Sequence, residues 1–178
     1  MKEDRRGFML GAFTGIGAVG ALYAMKRTWD PLPSVKNAGV TSIDLSTMSP
    51  NELMIYKWRG KPIFILKKDQ AMLDNEHQND KARNILVDGE QYMLCIGLCT
   101  HLGCIPAYRE SNHLFLCACH GAEYDTSAIN TKAPAPLPML IPPFKVKNKT
   151  IIIGEEGEQY LKMKEAQVLG LKVLDPKG

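Results

Sequence analysis

Hydrophobic and polar positions change rhythm along this chain of 178 residues. Gly7 to Met25 (GFMLGAFTGIGAVGALYAM) carries no charge, and as a helix the run reaches about 28 Å, enough for a bilayer core. Beyond it the apolar residues come in short runs of strand character: Thr41 to Leu45, Leu53 to Trp58, Pro62 to Lys67, Tyr92 to Leu98, Leu114 to Cys117, Phe144 to Lys147 and Thr150 to Ile153. Their spacing predicts antiparallel β structure, hence an all-β domain over 41–154. One helix is expected around Gln70 to Ile85, where Asn and Asp interrupt the apolar pattern. Trp29 to Gly39 (WDPLPSVKNAG) has two prolines and no periodicity, which predicts an extended tether over 28–40. Residues 155–178 read as a polar tail with a short helix over 159–168.

The first 27 residues read as a membrane anchor. Lys26 and Arg27 mark the end of the span, and Tyr23 and Trp29 sit where an interfacial aromatic belt belongs. Arg5-Arg6 followed by Gly-Phe-Met-Leu resembles the twin-arginine export signal of bacteria. No Ala-x-Ala site follows the run, the nearest being Ala21-Leu-Tyr-Ala24, so an uncleaved anchor is expected over a cleaved signal. That reading puts the amino terminus in the cytoplasm and the domain outside a bacterial inner membrane. Twin-arginine export carries folded proteins, so a cofactor inserted in the cytoplasm is expected. Gly7, Gly11 and Gly15 are spaced to admit a neighbouring membrane helix, although glycine is also common in membrane helices generally.

Composition narrows the function. Hydrophobic residues at 45% and charged residues at 23% belong to a folded globular protein. The net charge of +3 arises wholly from residues 2–27, and the remainder is balanced, so nucleic acid is not an expected partner. Five cysteines are too few for a disulfide scaffold, yet four of them cluster.

The clusters are Cys99-Thr-His101-Leu-Gly-Cys104 and Cys117-Ala-Cys119-His120-Gly-Ala-Glu-Tyr124-Asp125. The pattern C-x-H-x15-C-x-x-H supplies two thiolates and two imidazoles, a donor set suited to zinc or to an iron–sulfur cluster. Cys95 reads as a small buried thiol, His77 as a solvated helix residue and His113 as a turn residue.

The two boxes, CTHLGC and CACHGAEYD, resemble the Rieske iron–sulfur subunit of bacterial cytochrome bc complexes (quinol–cytochrome c reductase). So do Trp58-Arg-Gly-Lys-Pro62 and Ala133-Pro134-Ala135-Pro136. The resemblance implies an antiparallel β-sandwich with a small cluster-binding subdomain over about 95–140, behind a single transmembrane helix. It implies one 2Fe-2S cluster, with Cys99 and Cys117 on the buried iron and His101 and His120 on the outer one. Cys104 and Cys119 would form a disulfide, Ala133 to Pro136 would cover the cluster, and Tyr124, Ala122 and Leu102 would tune it. His120 would contact quinol and accept its proton. The implied partners are a cytochrome b subunit with quinol, a c-type cytochrome and membrane lipid, in a dimeric respiratory oxidoreductase and translocase through which the tethered domain swings.

Two ferric ions, two sulfides and two thiolates sum to zero charge, whereas four thiolates would give −2, so such a cluster is more easily reduced. Rieske centres are known as a class to lie at about −150 to +300 mV, against about −400 mV for plant-type ferredoxins. The family usually carries Ser where Ala122 stands, donating to a bridging sulfide. Its loss predicts a potential low in that range, suited to menaquinol. Ala118 for Pro and Ala133 for Gly affect only loop rigidity. A Rieske subunit of arsenite oxidase, a Rieske ferredoxin of an oxygenase and a zinc-stabilised module are the alternatives. Tyr124-Asp125 and the proline-containing loop favour the bc type, and the anchor and second cysteine pair disfavour the ferredoxin.

Overall fold

The structure, a computed structural model, describes residues 2–30, 39–76 and 78–170. Most of the expected tether, His77 and the last eight residues lie outside them. The chain divides after residue 38 into two units.

The first unit is helix α1 (Lys2–Trp29). Its stretch Arg5–Trp29 is long and apolar enough to cross a membrane, at about 38 Å. Phe8, Met9, Leu10, Phe13, Ile16, Val19, Leu22 and Met25 are all exposed and together point to every side of the helix, a distribution suited to lipid.

The second unit holds eleven strands among the described residues, in three antiparallel sheets. One pairs β1 (Thr41–Asp44), β11 (Thr150–Ile153) and β10 (Phe144–Lys147) in that order. The second runs β2 (Leu53–Trp58), β3 (Lys61–Lys67), β5 (Glu90–Ile96), β4 (Ile85–Val87). The third runs β6 (Ala107–Arg109), β7 (Leu114–Cys117), β8 (Ala122–Tyr124), β9 (Asn130–Lys132).

The second sheet is central. Ile63, Ile65, Leu94 and Ile96 enter one core with Ile43, Phe144 and Ile151, while Phe64, Leu66, Met93 and Cys95 enter another with Phe115, Cys117 and Tyr124. Alternate side chains of a strand point to opposite faces, so a strand covered on both must be apolar throughout. That is why Ile63-Phe-Ile-Leu66 and Met93-Leu-Cys-Ile96 lack alternation. Phe64 stacks on Phe115 at 5.7 Å, joining the central sheet to the third.

Two segments depart from the pattern reading. The helix expected over 70–85 is two short ones, α2 (Gln70–Asp74) and α3 (Gln78–Lys81), and Ile85 instead opens β4. Asp69 caps α2 by accepting from the Met72 amide at 2.8 Å, and Asn75 ends it. Only Met72 on α2 is buried, too little apolar surface to hold a longer helix. Asp88-Gly89 turns β4 into β5, both with positive φ (52° and 82°), a two-residue turn whose twist suits a hairpin. The second departure is the polar tail, where the expected short helix is present but packs on the core. Helix α4 (Glu158–Glu165) buries Tyr160 and Met163, Tyr160 meets Phe144 edge-on at 5.9 Å, and Val168 and Leu169 pack on the first core.

Candidate metal centre

Both cysteine boxes lie at one end of the third sheet. The first occupies the connection between β5 and β6, folded back by Gly103 N–H to the Cys99 carbonyl (2.8 Å) and Cys99 N–H to the Cys104 carbonyl (2.7 Å). The second is the β7–β8 hairpin, where Cys117 and Ala122 are register partners and residues 118–121 form the turn. Gly121 closes it at φ 76°, a left-handed conformation that a side chain would strain.

Cys99, His101, Cys117 and His120 converge there. The Cys99 and Cys117 thiols are both buried, in one apolar cluster with Phe115 and Tyr124. The His101 and His120 rings meet edge-on at 4.7 Å, His101 half-buried and His120 exposed. Cys104 and Cys119 are joined by a disulfide that ties the two loops. Leu102, next to His101 in the chain, stands 72% exposed.

The sulfurs sit among donors. Burial raises the Cys99 thiol, but the Tyr124 hydroxyl and the amides of His101 and Leu102 donate to it and the net shift is downward. Cys117 is shifted up, chiefly by burial, against opposing amide bonds from Cys119 and His120. Tyr124 donates to Cys99 Sγ at 3.3 Å and accepts from the Thr100 amide at 2.8 Å. Burial, then the bond to Cys99, push it up to about 12. Thr100 Oγ1 donates to the Leu137 carbonyl at 2.7 Å, fastening the segment after Ala133 to Pro136 to the first box. Ala122 is fully buried and has no hydroxyl to offer.

Two buried sulfurs inside and two imidazoles outside make a polarised donor set. It fits a binuclear cluster with thiolates on one iron and imidazoles on the other, the arrangement a Rieske centre requires.

Sequence reasoning missed the polar scaffold behind this centre. Arg83 is buried and donates to three carbonyls: Ser127 (2.8 Å), Met139 (2.7 Å) and Val168. Lys68, also buried, pairs with Glu76 and donates to Ser127 Oγ at 2.7 Å. Asn84 donates to Glu76 and Gln91. Asp125 accepts from the amides of Ser127 and Ile129, and burial holds its carboxyl above the ordinary carboxylate range. Nothing local marks Lys68 or Arg83, because a buried cation and a solvated one are written with the same letter. Cys95 lies wholly buried, with Met139 Sδ at 3.6 Å, and burial pushes its thiol up to about 12. His113 adopts a left-handed turn conformation before β7.

Residues 42–147 match the Rieske [2Fe-2S] domain. The ubiquinol–cytochrome c reductase iron–sulfur subunit of Bradyrhizobium diazoefficiens is 34% identical, over 83% of this chain and 92% of that one. The same subunit of Rickettsia felis is also 34% identical, over 86% and 94%. Among solved structures, a chain of a hyperthermophilic respiratory Complex III superposes with a TM-score of 0.61 at 28% identity, covering 82% of this chain and 98% of that one.

Proposed function

The chain belongs to the Rieske iron–sulfur subunits of cytochrome bc complexes, and on that premise we propose that it takes one electron from quinol and passes it to a c-type cytochrome. The observation that carries this is the exposed His120 imidazole set against the His101 ring, with both thiols buried behind them.

Cys99 and Cys117 would hold one iron of a [2Fe-2S] cluster, and His101 and His120 the other. When bound, the cluster supplies a one-electron acceptor of raised potential. His120 accepts the quinol's hydrogen bond, and then its proton, at the ring nitrogen that does not bind iron. Leu102, exposed next to His101 in the first box, excludes water where the quinol-bearing cytochrome b subunit docks. The Cys104–Cys119 disulfide holds the imidazole loops in register. Tyr124 and the backbone amides donate to the ligand sulfurs and favour the more negatively charged, reduced state. Ala122 withholds the further donor that the family's Ser supplies, so the potential is low and the donor is menaquinol. Helix α1 anchors the subunit with its amino terminus in the cytoplasm of a bacterial cell and the domain on the periplasmic side, as a twin-arginine substrate within a dimeric translocating complex.

Full-length protein in detergent, titrated with dithionite while its electron paramagnetic resonance is recorded at several pH values, tests the reading. A rhombic signal with mean g below that of the free electron, and a midpoint falling with pH as the imidazoles deprotonate, are expected. A colourless zinc protein would sink the electron-transfer reading. A midpoint high in the Rieske range would remove menaquinol alone.

A further inference from the structure

Leu137-Pro-Met-Leu-Ile141 runs on into Pro142-Pro143, and its prolines withhold amides that a strand would need. Residues 137–141 accordingly belong to no strand, and their backbone groups are satisfied one at a time. The Leu137 carbonyl accepts from Thr100 Oγ1 (2.7 Å), the Met139 carbonyl from Arg83 (2.7 Å) and the Leu140 carbonyl from the Ile96 amide (2.7 Å). The Met139 amide donates to the Ala128 carbonyl at 2.9 Å. The remaining partner is the segment after α4. The Ile141 amide donates to the Leu169 carbonyl at 3.0 Å, and Arg83, which holds Met139, also donates to the Val168 carbonyl. Gly170 lies against the same backbone: its φ is 87°, and a Cβ there would stand 2.7 Å from the Met139 oxygen and 3.0 Å from that of Pro138. Gly170 and Leu137 share a groove of about 310 Å³ with Cys99, Thr100 and Gly103 of the first box.

We infer that Val168, Leu169 and Gly170 are a positioning element of the metal centre, fixing residues 137–141 against the first box and through them the Thr100 hydroxyl. The inference rests on the cluster reading for its effect on potential, but not for the geometry at Cys99. Thr100 Oγ1 gives its proton to the Leu137 carbonyl and faces the Leu137 amide at 3.4 Å, so both contacts move with residue 137. The same oxygen lies 3.1 Å from the Tyr124 hydroxyl, which donates to Cys99 Sγ. With Leu137 in place the Thr100 hydroxyl is engaged, and the Tyr124 proton is left to Cys99. Without residues 168–170 the Ile141 amide loses its acceptor and the Met139 peptide its cover. Leu137 then loosens, the Thr100 oxygen competes for the Tyr124 proton, and the donor is drawn away from Cys99.

The full-length protein in detergent is compared with chains ending at Gly170 and at Gln167, and with Gly170→Ala, whose added methyl presses on the Met139 carbonyl. Iron and sulfide are counted first. The midpoint is then read by redox titration, and loss of the cluster to a chelator is followed by visible absorbance. The chain ending at Gly170 should behave as the full chain does. The chain ending at Gln167 and Gly170→Ala should both lower the midpoint and lose the cluster roughly two- to tenfold faster, the worth of one hydrogen bond. In a Thr100→Val background, where the hydroxyl is already missing, neither change should lower the midpoint further. An unchanged midpoint in both variants would overturn the inference. So would an equal fall in the Thr100→Val background, since that marks general loosening rather than positioning. If the chain ending at Gln167 does not fold, Gly170→Ala decides by the same criteria. Absence of iron and sulfide from the natural protein would instead defeat the cluster reading. Iodoacetamide labelling of Cys99 then tests the geometry alone: faster labelling in both variants supports the positioning role, and equal rates overturn it.

Discussion

The Tyr124 hydroxyl, at the end of β8 within the second box, donates to Cys99 Sγ across 3.3 Å. One aromatic side chain thus joins the two boxes and places a positive dipole end on a sulfur that, as the proposed iron ligand, would become more electron-rich on reduction. Tyr124→Phe removes the donor and leaves the Thr100 amide without its acceptor. A hydrogen bond to a charged group is worth roughly 1.5–3 kcal/mol, and the part of it that differs between oxidation states sets the change. A fall in midpoint on the order of 59 mV, the equivalent of about 1.4 kcal/mol for one electron, is expected by redox titration.

Ala122 supplies the converse experiment. It is fully buried opposite Cys117, where a hydroxyl would face the centre. Ala122→Ser should raise the midpoint by a similar amount, with the electron paramagnetic resonance line shape retained. An unchanged midpoint would remove the argument for menaquinol, because that argument rests on the missing donor.

Lys68 and Glu76 form an ion pair with both side chains almost wholly buried. Burial lowers the Lys68 pKa, an effect opposed by Glu76, so each charge depends on the other. Lys68→Met leaves the Glu76 carboxylate stranded and should cost about 3–5 kcal/mol in chemical denaturation. Adding Glu76→Gln should recover much of that loss, which a purely steric effect of the lysine replacement would not allow.

Asp125 gives a pH dependence. Burial raises its folded-state pKa above the unfolded value of about 3.9. The folded chain therefore holds this proton more tightly, and the stabilising contribution is complete below the unfolded pKa and lost as pH rises through the folded one. Asp125→Asn keeps the oxygen that accepts from Ser127 and Ile129. The stability of the natural protein relative to this variant should fall as pH rises from about 4 and then level off. Denaturation curves across that range measure it, and a constant difference would contradict the assignment.

The anchor, the all-β character and the two boxes could be read from the amino-acid order without any structure. These are local properties: an uncharged run long enough for a bilayer, strands whose apolar residues are contiguous, and candidate ligands two or three positions apart in tight turns. The membership of Cys99, His101, Cys117 and His120 in one constellation was legible because each box is a single loop and the boxes pair with one another. Asp88-Gly89 also carried a hairpin signal, obscured by the helical reading of the residues before it. It took the folded arrangement to establish that the central sheet is covered on both faces and that residues 158–170 belong to the core. The same holds for Lys68 and Arg83, which hold the carbonyls and hydroxyl behind the centre. Burial is a property of what the rest of the chain places around a residue. A lysine paired inside a protein and one dissolved in water differ only in partners that lie, as Ser127 lies from Lys68, dozens of positions away.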